Sequence, residues 1–244
     1  MRSVLIGLFI TSLATPALAD AASPWSFGAT VGYDIPVSGD VLATSNSTPL
    51  NLNSFNTNLT GTGILRLRGT DYQDSYDNAV RATIEVRYAM SDLSEFFGAF
   101  TYTNAEGKTA NAGCLETAGV CTTGLNATLS DYRQYGLEVG YRQWFNMAML
   151  GDNVRPYFSV RGGVVRTDAI NALLATPTDG IANWRLYKET YAYTIGADVG
   201  ASVTLSPNAE LGGEVGIRYQ TALRENDLDF GAFGLGNVND KSER

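Results

Sequence analysis

Eleven charged side chains are spaced as if to share one enclosed surface: Asp34, Arg81, Glu85, Arg87, Glu138, Arg142, Arg161, Asp198, Glu210, Glu214 and Arg218. Six acids against five arginines is close to balance. The chemistry expected of such a set is mutual pairing; a selective ion path would favour one sign. Catalysis is poorly served, because the 244 residues contain no histidine, and with it go the usual general base and any Ser-His arrangement. Glu210 and Glu214 could act as an acid pair, but pairing with arginine is the expected use. Asp71, Asp74 and Asp77 stand three apart and could offer oxygen ligands to calcium. They lack the EF-hand spacing and its glycine, so a solvated loop is expected there. No cofactor, metal or catalytic residue is predicted. Cys114 and Cys121 are the two cysteines. In an oxidising compartment they are expected to form a disulfide across a short loop; a metal pair or two free thiols are the alternatives. Zinc is disfavoured, since no histidine or further cysteine is available.

The elements that must position these charges share a two-residue rhythm. In Trp25-Ser26-Phe27-Gly28-Ala29-Thr30-Val31-Gly32-Tyr33-Asp34-Ile35, odd positions are apolar and even positions small or polar. Successive side chains of a strand point to opposite faces, so this is a strand with one apolar and one polar face. The rhythm recurs at 80–88, 95–102 (more apolar throughout), 134–142, 156–166, 191–205 and 210–220. The charges fall on the polar face of these segments. On a lipid-facing surface each would cost up to a few kcal/mol; in a lumen they can pair. Glycines four apart on the same face (28/32, 136/140, 196/200 and 212/216) leave room for arginine and glutamate from neighbouring strands. They are not helix-packing motifs, because the residues between them follow period two and not 3.6. Trp25, Tyr33, Tyr88, Tyr102, Tyr141, Trp144, Phe145, Tyr157, Tyr191 and Tyr219 lie toward segment ends, where aromatic girdles of membrane barrels sit.

The chain opens with Arg2, an apolar run from Val4 to Ala14 and Pro16-Ala17-Leu18-Ala19, which reads as a secretory leader cleaved before Asp20. Residues 20–244 would remain as one domain. Removing Arg2 from the 17 basic residues leaves 16 against 25 acidic ones, a net charge of −9, which disfavours nucleic acid as a partner. Connections alternate in length. Those around Asp92, at 146–153 and at 206–208 are short; 37–79, 103–130 and 167–188 are long and polar. Short turns on one side and long loops on the other fit outer-membrane barrels. The long segments read as solvated loops, apart from Gly63-Ile64-Leu65-Arg66-Leu67-Arg68, a short alternating run expected to extend the barrel wall above the membrane.

The predicted fold is therefore all-β: an antiparallel up-and-down transmembrane β-barrel of about eight strands. Seven are clear. The closing strand is either a poor one at 228–238, within the irregular tail 224–244, or absent from this sequence. With leader, alternation, loop asymmetry and charged lumen taken together, the chain resembles the small outer-membrane β-barrels of Gram-negative bacteria, the OmpA transmembrane domain and the surface-antigen or opacity-like porin families. The resemblance covers roughly residues 25–223 and rests on pattern, so no functional residue carries over. It implies a bacterial outer-membrane location, outer-membrane lipid as surroundings and an extracellular or envelope partner met through the long loops. The absence of histidine separates the chain from barrel lipid A deacylases and omptin-like proteases, whose sites use it. The expected function is structural or surface-interacting and non-enzymatic. A small porin for ions or solutes is the first alternative. A soluble periplasmic or secreted ligand-binding barrel, apolar inside and polar outside, is the second.

Overall fold

The computed structural model describes residues 5–14, 23–36, 39–54, 58–146, 153–177, 180–206 and 209–221, together with residues 223, 234, 235 and 238; for 5–14 and 180–182 it describes the backbone alone. Eight antiparallel strands close into a barrel: β1 (Leu5–Ala14), β2 (Trp25–Pro36), β3 (Ala79–Ser91), β4 (Ser94–Ala105), β5 (Tyr132–Trp144), β6 (Val154–Thr167), β7 (Thr190–Ser206) and β8 (Ala209–Gln220). Each strand pairs with its sequence neighbours, and β1 pairs with both β2 and β8 to close the ring. Seven of the eight are the alternating segments of the sequence, longer by a few residues.

The eighth corrects the expectation for the closing strand. Leu5–Ala14, read from the sequence as part of a leader, holds the place that 228–238 or nothing at all was expected to hold. Of the tail, Leu223, Leu235 and Val238 are described. They are buried in an apolar cluster beyond the barrel, and the Val238 carbonyl accepts from the Ala43 amide at 2.7 Å. Gly234 is described as well, in a left-handed conformation beside Thr48; the rest of 224–244 lies outside the described residues.

The long connections also differ from the solvated loops expected. A seven-stranded sheet runs through Gly180–Tyr187, Ile170–Ala175, Val120–Leu129, Thr109–Thr117, Thr62–Leu67 and Ser45–Asn46, with Leu50–Asn51 also paired to Thr62–Leu67. Asp40–Leu42 pairs with Thr70–Asp71 beside them, followed by one helical turn, Tyr72–Ser75. Together these elements form a cap. Its core includes Leu65, Leu67, Leu115, Leu125, Ile170 and Leu186, and it merges with Ala79, Ala105 and Tyr132 at the ends of wall strands. Hairpin extensions of the wall thus fold over the lumen and bury their own apolar faces. The cysteines do form a disulfide, between adjacent cap strands, with Cα atoms 5.7 Å apart.

Candidate functional site

The wall strands point alternate residues to alternate faces, and the register brings the charged ones into one interior. The buried set contains Asp34, Glu85, Glu95, Glu138, Asp198 and Glu214 with Arg81, Arg87, Arg142, Arg161 and Arg218. Arg161 is the hub. Its Nε donates to Asp198 Oδ2 at 2.8 Å and its Nη2 to Glu214 Oε1 at 3.1 Å. Its Nη1 stands 3.7 Å from both Glu85 and Glu138. Arg142 donates to Glu95 at 2.7 Å and to Glu85 at 3.3 Å. Arg87 Nε donates to Glu85 at 3.0 Å and Arg81 Nε to Asp34 at 2.7 Å. Arg218 Nη2 lies 3.5 Å from Asp198.

Ten of the eleven charges expected in the lumen are gathered there. Glu210 stands apart. It is half-buried at the end of the barrel away from the cap, with Arg155 3.7 Å away. Glu95 joins the network though the sequence reading passed over it, because β4 reads as apolar throughout. The parity of Glu95, Phe97, Ala99 and Thr101 along one face was the available signal.

Aromatic residues enter the lumen as well. Trp144 and Tyr157, expected in an outer girdle, are buried with their rings 4.9 Å apart. Tyr157 Oη donates to Glu214 at 2.8 Å, and the Arg142 guanidinium stacks 4.6 Å from the Tyr157 ring. Phe97 lies 5.1 Å from both Arg142 and Arg161. A guanidinium is planar and weakly hydrated, so an aromatic face is a good neighbour once water is gone. Several lumen glycines make these approaches possible. A methyl group on Gly28 would strike the Arg87 guanidinium, one on Gly216 the Asp198 carboxylate, and ones on Gly140 and Gly200 the Phe97 and Tyr157 rings.

Toward the cap the lumen changes from charged to neutral. Gln134 Nε2 donates to Tyr132 Oη at 2.7 Å, Gln220 Oε1 at 2.8 Å and Thr167 Oγ1 at 3.0 Å. A cavity of about 10 Å³ between Asp34, Arg81, Thr103, Gln134, Thr194, Arg218 and Gln220 has room for about one water molecule. Above this belt Tyr132 packs against Tyr76 and Tyr72, with ring centres 5.9 and 6.3 Å away. The belt and the tyrosines hand the lumen over to the apolar cap core.

The three aspartates near residue 74 do not converge. Asp71 caps the helical turn by accepting from the Asp74 amide at 2.9 Å, and Asp77 pairs with Lys108 at 2.9 Å. Among the described residues, no group of three or more acids, cysteines and histidines could hold a metal ion. Beyond the wall, Glu189 accepts from Arg166 Nε at 2.8 Å, and that hydrogen bond holds its carboxyl below the usual range.

What the wall and its contents define is a class, the closed antiparallel barrel with a filled, charged interior and a folded cap. No protein-family model and no curated protein matches the chain. A solved structure similar to it is the toluene transporter TbuX of Ralstonia pickettii, at 10% sequence identity over 93% of this chain and 90% of that chain, with a TM-score of 0.32.

Proposed function

We propose that this chain is an integral, non-enzymatic outer-membrane β-barrel whose lumen is plugged by paired charges and whose cap meets envelope or extracellular partners. The observation that carries the reading is the inversion of inside and outside. Ile84, Val139 and Val199 are 61%, 71% and 55% exposed, while their neighbours Glu85, Glu138 and Asp198 are 1%, 3% and 1% exposed. In water, soluble monomers rarely expose contiguous apolar patches of more than a few hundred Å²; in a bilayer such a wall is the favourable surface. A soluble ligand-binding barrel requires the opposite arrangement, an apolar lumen and a polar exterior.

The outer aromatics fit the same reading. Trp25 packs on Tyr88 and Phe96 on Tyr141 near one end of the wall, and Tyr102 on Tyr135 nearer the other. From Trp25 to Tyr33 the chain advances about 27 Å along β2 at ~3.4 Å per residue. At a strand tilt of ~40° that is about 21 Å across the bilayer, close to the ~25 Å apolar band of such barrels. The glutamates and arginines of the lumen then face one another where water is scarce, and near-balance of sign lets each find a partner.

Planar-bilayer recording tests the plug. The expected result is no steady open level after insertion. A reproducible conductance would favour the small-porin alternative. Release from membranes without detergent would overturn the membrane assignment itself.

A further inference from the structure

We infer that the outer wall carries a lipid site, a trough across β4 to β8 that seats one acyl chain of a lipid from the cap-side leaflet. The inference rests on the membrane-wall reading above and adds to it a place and an occupant.

Register builds the trough. Phe97 on β4, Gly140 on β5, Arg161 on β6, Gly196 on β7 and Arg218 on β8 stand side by side in one row across five strands. Phe97, Arg161 and Arg218 are buried in the lumen and the other two are glycines, so this row offers only backbone to the outside. One residue away on each strand lie two rows that point outward. They stand about 7 Å apart, two residues at ~3.4 Å each, and form the banks of the trough. Tyr141 stands across the floor from Val139, and Ile217 from Tyr219. The banks recede at Gly98, Gly162 and Ala197. A methyl group on Gly98 meets nothing within 4 Å, and one on Gly162 only the Thr194 carbonyl, at 3.5 Å. The three rows enclose an apolar cavity of about 960 Å³ on the outer face of the wall.

Shape selects the occupant. Four strand spacings of ~4.8 Å give the trough a length of about 19 Å. Ladder hydrogen bonds run perpendicular to the strands. With strands tilted ~40°, the trough lies about 50° from the membrane normal and descends about 12 Å. One leaflet of a ~30 Å hydrocarbon core is about 15 Å deep, so a single acyl chain covers that descent. A helix with its side chains is ~10–12 Å across and does not enter between banks about 7 Å apart. A second barrel presents a convex wall, which bridges the trough without filling it. Left unfilled, the trough forfeits dispersion contacts along both banks. The ends identify the leaflet. Tyr219 is the next-to-last residue of β8, at the cap side, whereas Phe96 is the third residue of β4, near the opposite turn. The upper mouth is therefore at Tyr219, and the lipid enters there with its head group toward the cap.

The test uses the full chain in phosphatidylcholine vesicles with a trace of phosphatidylcholine carrying a photoactivatable diazirine on one acyl chain. The diazirine sits near the glycerol in one probe and near the chain end in the other. After irradiation, adducts are mapped by peptide mass spectrometry. Labelling per residue at 96–98, 139–141, 160–162, 195–197 and 217–219 is expected to exceed that at 27–35 and 80–88 several-fold. The glycerol-side probe is expected to favour 217–219 and the chain-end probe 96–98. In a Gly98→Leu, Gly162→Leu double variant, whose added side chains fill the trough, the excess disappears. Ala29→Leu adds the same kind of bulk to the wall outside the trough and keeps it. Even labelling around the wall of the parent protein, or the two probes in reversed order, overturns the inference and leaves the barrel reading standing. Labelling of the trough below that of the remaining wall overturns it too, because another chain then covers the site. The parent map decides by itself where the double variant does not fold. A chain that never enters the vesicle fraction overturns both readings.

Discussion

Arg161 is the interaction on which the lumen most depends, and Arg161→Met is the substitution that tests it. Methionine keeps much of the length and apolar bulk, so the change removes charge and hydrogen bonds more than volume. Asp198 and Glu214 lose donors at 2.8 and 3.1 Å, and Glu85 and Glu138 lose a cation at 3.7 Å. Six buried acids then face four arginines where five stood before. Removing one partner of a buried ion pair costs about 3–5 kcal/mol, because the other charge is left uncompensated in a poor solvent for it. With a urea slope of roughly 2 kcal/mol per molar, a loss of about 4 kcal/mol lowers the midpoint by about 2 M. The assay is equilibrium urea unfolding of the refolded protein in lipid vesicles, followed by tryptophan emission. Arg166→Gln, which breaks the exposed pair with Glu189, serves as control and leaves the midpoint unchanged, since exposed pairs contribute little. Adding Asp198→Asn to Arg161→Met restores part of the lost stability by removing one of the stranded charges. An Arg161→Met midpoint within a few tenths of a molar of the parent would refute the idea that this network stabilises the lumen.

Two further predictions concern single positions. A methyl group on Gly163 would collide with the Leu137 carbonyl of the adjacent strand, whereas one on Gly98 meets nothing within 4 Å. In the same vesicle assay Gly163→Ala is therefore expected to cost about 1–3 kcal/mol through overpacking, and Gly98→Ala to be neutral or to gain up to about 1 kcal/mol by limiting the unfolded chain. Replacing Cys114 and Cys121 by serine removes the staple from one cap hairpin, a loss of about 2.5 kcal/mol on chain-entropy grounds for so short a loop. Limited proteolysis is expected to cut the cap at 114–121 in that variant and to leave the heat-dependent gel shift of the wall intact.

The wall was legible because two independent signals coincide in it. A strand in lipid must show apolar residues on one face, and a barrel lumen filled by side chains must show small or paired polar residues on the other. Each face therefore imposes its own period-two pattern. Ile84 beside Glu85, or Val160 beside Arg161, carries both at once. The charged interior followed from the same parity, which is why Asp34, Arg87 and Asp198, from strands distant in sequence, could be grouped before any contact was known.

The parts that were not legible each lack one of those signals. Trp144 and Tyr157 carry the right parity for the lumen, but as aromatics near strand ends they match a girdle equally well. The lumen charges beside them, Arg142 and Glu214, distinguish the two, and their positions depend on register across several strands. In the cap the strands are short, interrupted and buried against one another, so Leu65, Leu115 and Leu125 look irregularly spaced in sequence while converging in space. Their polar Ser, Thr and Asn neighbours reflect a thin two-sided sheet and not a solvated coil. β1 is the most instructive case. Its outer register positions are apolar, but so are Leu5 and Phe9 at inner ones, and the phase changes near residue 11. A period-two search rejects such a segment and a leader pattern claims it. The neighbours supply what the segment lacks: its register partners alternate between the outer wall, as Ile217 and Ile35 beside position 6, and the lumen, as Glu214 and Gly32 beside position 9.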